Sequence, residues 1–266
     1  MGVAPFIAFA LSSAHFDPIV PQPTFGAWTT STLSLGLMTL VAALAGDAAR
    51  CRAGRGIACA IASMLGSLML TLPEWSSEHA RLVLAAALGL SSALLLPPGM
   101  HRGGFSFWFA QSLALAGASL LALASGFAKL AVPVGAVSAT CGWIGVLALF
   151  TKPHRAIHAG LAGSILIAGT AGIAAATAFA FDTGALPWTA CVIAGLAPLG
   201  CWLGELPPFR SSRVASGLAR VLGCAVMSGL VALLCLRAGS PAKGDAYAVG
   251  REASAIIAFD PDAPSR

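Results

Sequence analysis

The residues of this chain with the clearest chemical meaning are its prolines and glycines, because ionisable side chains are almost absent from its long apolar stretches. Two of those stretches are interrupted: one contains Gly89-Leu90-Ser91-Ser92, the other Gly195-Leu196-Ala197-Pro198 followed by Gly200. Proline removes a backbone donor and clashes with the preceding turn, while glycine tolerates the bend. Carbonyls near Ala194 are therefore expected to leave the helical ladder and meet a partner or a solute. Helices broken at matching positions in two halves of a chain are the sequence-level mark of a transporter binding site. With Gln111 as a deep amide, the candidate substrate pathway is Gly89, Ser91, Ser92, Gln111, Gly195 and Pro198. The competing explanation is a packing kink, a common feature of membrane helices.

Other chemistry has less to work with. His154 and His158 are four positions apart, a spacing that lets two imidazoles share a ligand, yet no acid or thiol accompanies them in that segment. His15, His79 and His101 are scattered in loops, so a facing pair of haem ligands does not assemble. The seven cysteines Cys51, Cys59, Cys141, Cys191, Cys201, Cys224 and Cys235 contain no CxxC pair and mostly fall inside apolar runs, where a thiol packs as a small apolar group. Gly160-Leu161-Ala162-Gly163-Ser164 has a serine between small residues but no base at the same depth. There is no phosphate loop, nucleophile elbow or HExxH. The expectation is no metal and no cofactor; enzymatic activity has little support, and a membrane enzyme ranks third among the possible functions.

The elements that must carry these residues follow from composition. Of 266 residues 58% are hydrophobic and 9% charged, where a soluble domain has roughly 25% charged. A bilayer span takes about 20 apolar residues. The breaks at Pro73, Pro97-Pro98, Pro133, Pro153, Pro187 and Pro207-Pro208 divide the chain into spans near 27–46, 56–73, 81–97, 105–128, 131–150, 157–181, 187–204 and 217–236. The predicted fold is an all-α, polytopic membrane bundle of about eight transmembrane helices. Its weakest division is the fourth from the fifth span, where only Lys129 and Pro133 interrupt a long apolar run; seven or nine segments are the alternatives.

Charge supports the count. Arg50, Arg52, Arg55, Arg102, Lys152, Arg155, Arg210, Arg213 and Arg220 fall in alternate loops, against Arg81 and Lys129 in the others, with Arg237 at the end of the last span. Because cytoplasmic loops collect Lys and Arg, this places both termini outside a cell membrane, inner or plasma. Within the spans no charge is central: Asp47, Lys129, Asp182 and Glu205 sit at predicted rims, which argues against ion-coupled transport. Trp28, Trp75, Trp108, Trp188 and Trp202 lie near span ends, where indoles anchor at the interface; Trp143 lies deeper.

Two patterns bear on architecture. Arg52-Ala53, Leu72-Pro73-Glu74-Trp75 and Leu96-Pro97-Pro98 recur in order as Arg155-Ala156, Leu186-Pro187-Trp188 and Leu206-Pro207-Pro208. That order suggests a 4+4 parallel internal repeat, against the simple frequency of Pro and Trp at span ends. In the sixth span Gly160, Ser164, Ala168, Gly172 and Ala176 recur every fourth position and share one face, a smooth stripe for close helix packing.

The chain thus divides into an interfacial or signal-like segment, 1–26, a transmembrane domain, 27–237, and a polar tail, 238–266. From the end of the last span onward Arg237, Lys243, Arg251 and Arg266 are balanced by Asp245, Glu252, Asp260 and Asp262, so the tail is no nucleic-acid arm. Two functions fit best: a small-solute transporter or permease, and a noncatalytic subunit or scaffold of a larger membrane complex. The expected partners are the lipid bilayer and either a small solute or another membrane protein.

Overall fold

The computed structural model describes residues 7–8, 11, 34–38, 40–41, 44–45, 51–70, 78–101, 104–151, 157–181 and 186–238. These residues are 91% helical with no strand among them, so the class is all-α. In chain order the helices are α1 (Arg52–Met69), α2 (Glu78–His101), α3 (Phe105–Ala124), α4 (Ala128–Phe150), α5 (Gly160–Phe181) and α6 (Trp188–Leu196). A 3₁₀-helix (Ala197–Glu205) continues α6 and is followed by the short α7 (Pro207–Arg210) and by α8 (Arg213–Ala238). Five segments are long and apolar enough to cross a membrane: α3, α4, Gly160–Ala180 of α5, Trp188–Glu205 and α8. Two shorter apolar runs, Ala53–Leu68 and Leu82–Pro97, lie in α1 and α2. The described chain is a multipass, membrane-type helical protein.

Most of the expected first span, the 1–26 segment apart from residues 7, 8 and 11, the Lys152–Ala156 stretch with His154 and Arg155, and the 239–266 tail lie outside the described residues. Within the first span, residues 34–38 are helical. Leu35 and Met38 are fully buried, and Ser34 donates its hydroxyl to the Gly66 carbonyl at 2.5 Å, which ties that segment to α1.

The fourth and fifth expected spans are separate helices, but Pro133 is not what divides them. It lies buried inside α4, which continues through it. The division is a Schellman turn at Ser125-Gly126-Phe127: Phe127 N–H reaches Ala122 O at 3.0 Å, Gly126 N–H reaches Leu123 O at 3.1 Å, and Gly126 takes φ +80°. Only glycine adopts that φ without steric cost. The turn sends α4 back antiparallel along α3, and small residues hold the pair. Ser138 donates to Ser112 O at 2.7 Å and Ser119 to Ala131 O at 2.7 Å, while a Cβ on Gly142 would come within 3.2 Å of Ser112 Oγ. Lipid tails are as apolar as the side chains, so close van der Waals fit and such hydrogen bonds, rather than water exclusion, drive association.

α5 forms the centre, packed against α2, α3 and α6. Ile165, Leu166, Ile167, Ala168, Ala171, Ile173 and Ala174 are buried at near-consecutive positions, so the middle of this helix is covered almost all round, while Phe179 near its end is exposed. A helix apolar all round belongs in such a place. α8 runs parallel to α3: Gly117 meets Ser228 and Ser106 meets Gly217 at the same separation along the chain, and Ser228 donates to Leu113 O at 2.8 Å. Its Ser216, Ala219, Arg220, Gly223, Cys224, Val231 and Cys235 face inward, while Leu218, Leu222, Val226 and Leu230 face out.

Candidate functional site

Trp188–Glu205, the seventh expected span, changes its winding midway. Pro198 has no N–H to give to Ala194 O, and the Ala197 N–H takes that acceptor one residue early. From Ala197 the chain continues for nine residues as a 3₁₀-helix, whose three-residue turn aligns Pro198, Cys201 and Gly204 on one buried edge. The carbonyls around the break meet protein. Gln111 donates Nε2 to Pro198 O at 3.2 Å, and the Cys224 thiol approaches Ala197 O at 3.4 Å.

The rest of the 3₁₀-helix is pinned in the same way. Ser216 of α8 donates to Gly204 O at 2.8 Å. Trp202 donates its indole N–H to Leu94 O of α2 at 2.7 Å. In a regular helix that carbonyl would receive the N–H of the residue four positions on, which here is Pro98, so the indole supplies a donor that proline removes. Arg220 of α8 pairs with Glu205 at the end of the segment; the arginine side chain is 3% exposed and the carboxylate 18%. Cys201 is fully buried on the same edge of the 3₁₀-helix as Pro198 and Gly204. Between α3, the 3₁₀-helix and α8 there is thus a polar seam of Gln111, Cys201, Glu205, Ser216, Arg220 and Cys224.

Backbone contact makes the seam tight. A Cβ placed on Gly200 would fall 2.8 Å from the Gly223 carbonyl carbon and 2.9 Å from Cys224 N. One on Gly223 would strike Gly200 O, and one on Gly204 would strike Ser216 O and the Arg220 side chain. Glycine at these three positions is what lets two backbones and a buried guanidinium share the space.

The α6 half of the same span borders something different. With α2 and α5 it encloses an open-sided groove of about 460 Å³, lined almost wholly by apolar atoms, including Leu88, Gly172, Phe179, Trp188 and Gly195. Ser91 also lines it, but its hydroxyl is turned back to Leu88 O at 3.1 Å. Phe179, Trp188 and Val192 remain well exposed along the groove.

The six pathway residues therefore do not converge. Ser91 and Gly195 line the groove; Gln111 and Pro198 are bonded to each other in the seam; a Cβ on Gly89 would lie 3.6 Å from Ser63 of α1. Ser92 is fully buried, and its Oγ, like Gln111 Oε1, has no hydrogen-bond partner among the described residues. Of the packing stripe, Gly160 opens α5 with φ +62° and accepts from Ser164 at 2.9 Å; Ala168 and Ala176 are buried; a Cβ on Gly172 would strike Leu88 of α2. His158 is exposed, and among the described residues no three His, Cys, Asp or Glu side chains converge as metal ligands would.

Four sequence expectations change. The third span is not interrupted: α2 runs as one helix through Gly89-Leu90-Ser91-Ser92, whose residues all keep helical winding, so of the two expected breaks only the one at Pro198 is present. Arg220, counted with the basic loops, lies two turns inside α8 on its buried face, because Glu205 offers it a carboxylate there. Trp108 is fully buried, its indole N–H bonded to Ile157 O at 3.0 Å, and Trp202 serves the Leu94 carbonyl, so neither acts merely as an interface anchor. The signal for Arg220 was its position four residues after Ser216 and four before Cys224, on one helix face. No known protein family, no curated protein and no solved structure matches this chain.

Proposed function

We propose that the protein is a noncatalytic subunit of a larger membrane assembly, and that the groove between α2, α5 and α6 receives a transmembrane helix of a partner protein. The observation that carries this reading is the contrast around the broken span: Ala194 O is taken by the Ala197 N–H, and the Pro198 and Ala197 carbonyls are engaged by Gln111 and Cys224, whereas the open space beside it is apolar. A solute pathway needs polar groups left free to replace hydration. A helix-receiving surface needs apolar shape and small residues, and Gly172, Ala175, Ala176 and Gly195 supply them here.

The bundle that would present this groove is proposed to have eight spans, with the helical residues 34–38 belonging to the first. Both termini are extracytoplasmic in this arrangement, in an inner or plasma membrane, and the exposed Arg210 and Arg213 between α7 and α8 are cytoplasmic. A 4+4 parallel repeat draws support from the parallel packing of α3 and α8, the last span of each proposed half. The 27–237 region acts as one transmembrane domain between the 1–26 segment and the 238–266 tail.

A second reading, a small-solute transporter or permease, is favoured by one observation: a buried ion pair, Arg220–Glu205, beside a broken span, since ionisable groups persist at membrane depth where function requires them. In that case Ser91 and Gly195 form the lateral entry for an amphipathic solute, and Gly89, Ser92, Gln111 and Pro198 line the inner path after rearrangement.

A photo-crosslinker placed at Val192 in native membranes separates the two readings. The subunit reading expects one discrete protein adduct. Adducts to lipid or small molecules alone would support the transport reading, and no adduct beyond solvent would defeat both.

A further inference from the structure

Nine residues is long for a 3₁₀-helix. Its i and i+3 side chains eclipse and its hydrogen bonds are poorly aligned, so runs beyond three or four residues are uncommon, and a stretch within a longer helix often marks a hinge or strain. Pro198 does not demand the whole run: it forbids only its own bond to Ala194 O, and proline is well suited to the first turn of an α-helix. From Leu199 onward the sequence is free to wind either way.

What holds the segment in the tighter form comes from outside it. Gln111, Cys224, Ser216, Trp202 bonded to Leu94 O, and Arg220 paired with Glu205 fasten it from first residue to last. Four of these contacts are neutral and weak individually; the ion pair at the end is the strong one. The segment meets α8 through Gly200, Gly204 and Gly223, which bring backbone against backbone or against the Arg220 stem, with the Leu203 side chain lying against Gly223.

We propose that Ala197–Glu205 is a hinge held in 3₁₀ form by the Arg220–Glu205 latch, and that opening the latch lets it rewind as α-helix and shift α6 beside the groove. At 2.0 Å rise per residue against 1.5 Å, rewinding shortens the segment by roughly 4 to 5 Å over its length. That is enough to move Gly195 and Leu196 relative to α2 and α5 and to withdraw Cys201 from the seam. The hinge applies whether the groove takes a partner helix or a solute.

Two measurements in phospholipid nanodiscs test it. Hydrogen exchange of the unmodified protein is expected to be at least tenfold faster at the 200–205 amides than at the 219–228 amides of α8, at the same depth; equal protection would overturn the hinge. Site-resolved alkylation by N-ethylmaleimide, read by mass spectrometry, tests the latch. In Glu205→Gln, labelling of Cys201 and Cys224 is expected to rise at least fivefold while Cys141, buried in α4, stays unchanged. Unchanged Cys201 and Cys224 rates would overturn the latch. Should Cys141 rise as well, Glu205→Asp takes over the test, with the same selective rise expected and its absence overturning the proposal.

Discussion

The two halves of the broken span face opposite kinds of surroundings. On the 3₁₀ side, polar groups are brought inside and matched to one another: an amide with a carbonyl, a thiol with a carbonyl, a hydroxyl with a carbonyl, a guanidinium with a carboxylate. On the α6 side nothing polar is offered, and space is left open. In a membrane these are two solutions to different problems. Broken backbone has to be satisfied by protein because hydrocarbon supplies no hydrogen bonds, whereas an apolar concavity is tolerated at little cost because lipid can fill it. The seam is therefore where stability should be concentrated, and the groove is where change should be tolerated.

The largest expected loss comes from splitting the ion pair. Arg220→Met leaves the Glu205 carboxylate without its guanidinium at a site 18% exposed. It should cost about 3 kcal/mol, the low end for a broken buried pair because the carboxylate keeps some access to solvent. Adding Glu205→Gln should restore most of that, since the double variant carries no stranded charge. Reversible unfolding in mixed detergent measures both; equal losses in the single and double variants would mean that the two side chains do not act as a pair.

Gly223→Ala comes next. Its Cβ would strike Gly200 O, a backbone atom rather than the end of a flexible side chain, and overpacking of this kind should cost about 2 kcal/mol. Gly229→Ala, on the same helix with nothing within 4 Å of the added atom, should be neutral. The pair of variants localises the tight contact to the seam, and a similar melting temperature for both would remove it.

A smaller effect is expected from Trp202→Phe, which keeps a smaller aromatic ring but removes the N–H and returns Leu94 O to its unsatisfied state beside Pro98. Hydrogen bonds between membrane helices average about 0.6 kcal/mol and reach roughly 1.7, so a loss near 1 kcal/mol is expected from the same unfolding measurement. No loss would mean that lipid headgroups or water satisfy that carbonyl instead.

How much of this could be read beforehand follows from what each signal depends on. The break at Pro198 was legible because a missing N–H is a property of the residue itself. The helical class was legible because apolar length is additive along the chain. The turn between α3 and α4 was missed at its true position: Pro133, a strong breaker in water, was tolerated inside α4, while Gly126, which looks ordinary in an apolar run, carried the left-handed φ. Position along the chain puts Arg220 with the basic loops, whereas its burial depends on Glu205, which approaches only after the 3₁₀-helix folds against α8. Gln111 and Pro198 each stand out in the sequence, yet that they bond to each other across 87 residues is a tertiary fact with no local trace. The groove was invisible for the same reason, being an absence of packing between three helices.

The least destabilising change should be the one most damaging to the proposed role. Ala87 and Val192 are exposed residues on the α2 and α6 walls of the groove. Ala87→Trp with Val192→Trp places two indoles into space that protein does not occupy, displacing only lipid, so unfolding in detergent should change by less than about 0.5 kcal/mol. Yet the groove would be filled. If a partner helix seats there, its recovery with the protein from native membranes should fall at least tenfold, while Leu230→Trp, on the exposed face of α8, should leave recovery unchanged. Equal recovery in all three proteins would move any docking surface elsewhere on the bundle. A loss of stability in the groove variant would show instead that the two faces of the broken span share one packing problem, and that their separation into a latched polar seam and a tolerant groove does not hold.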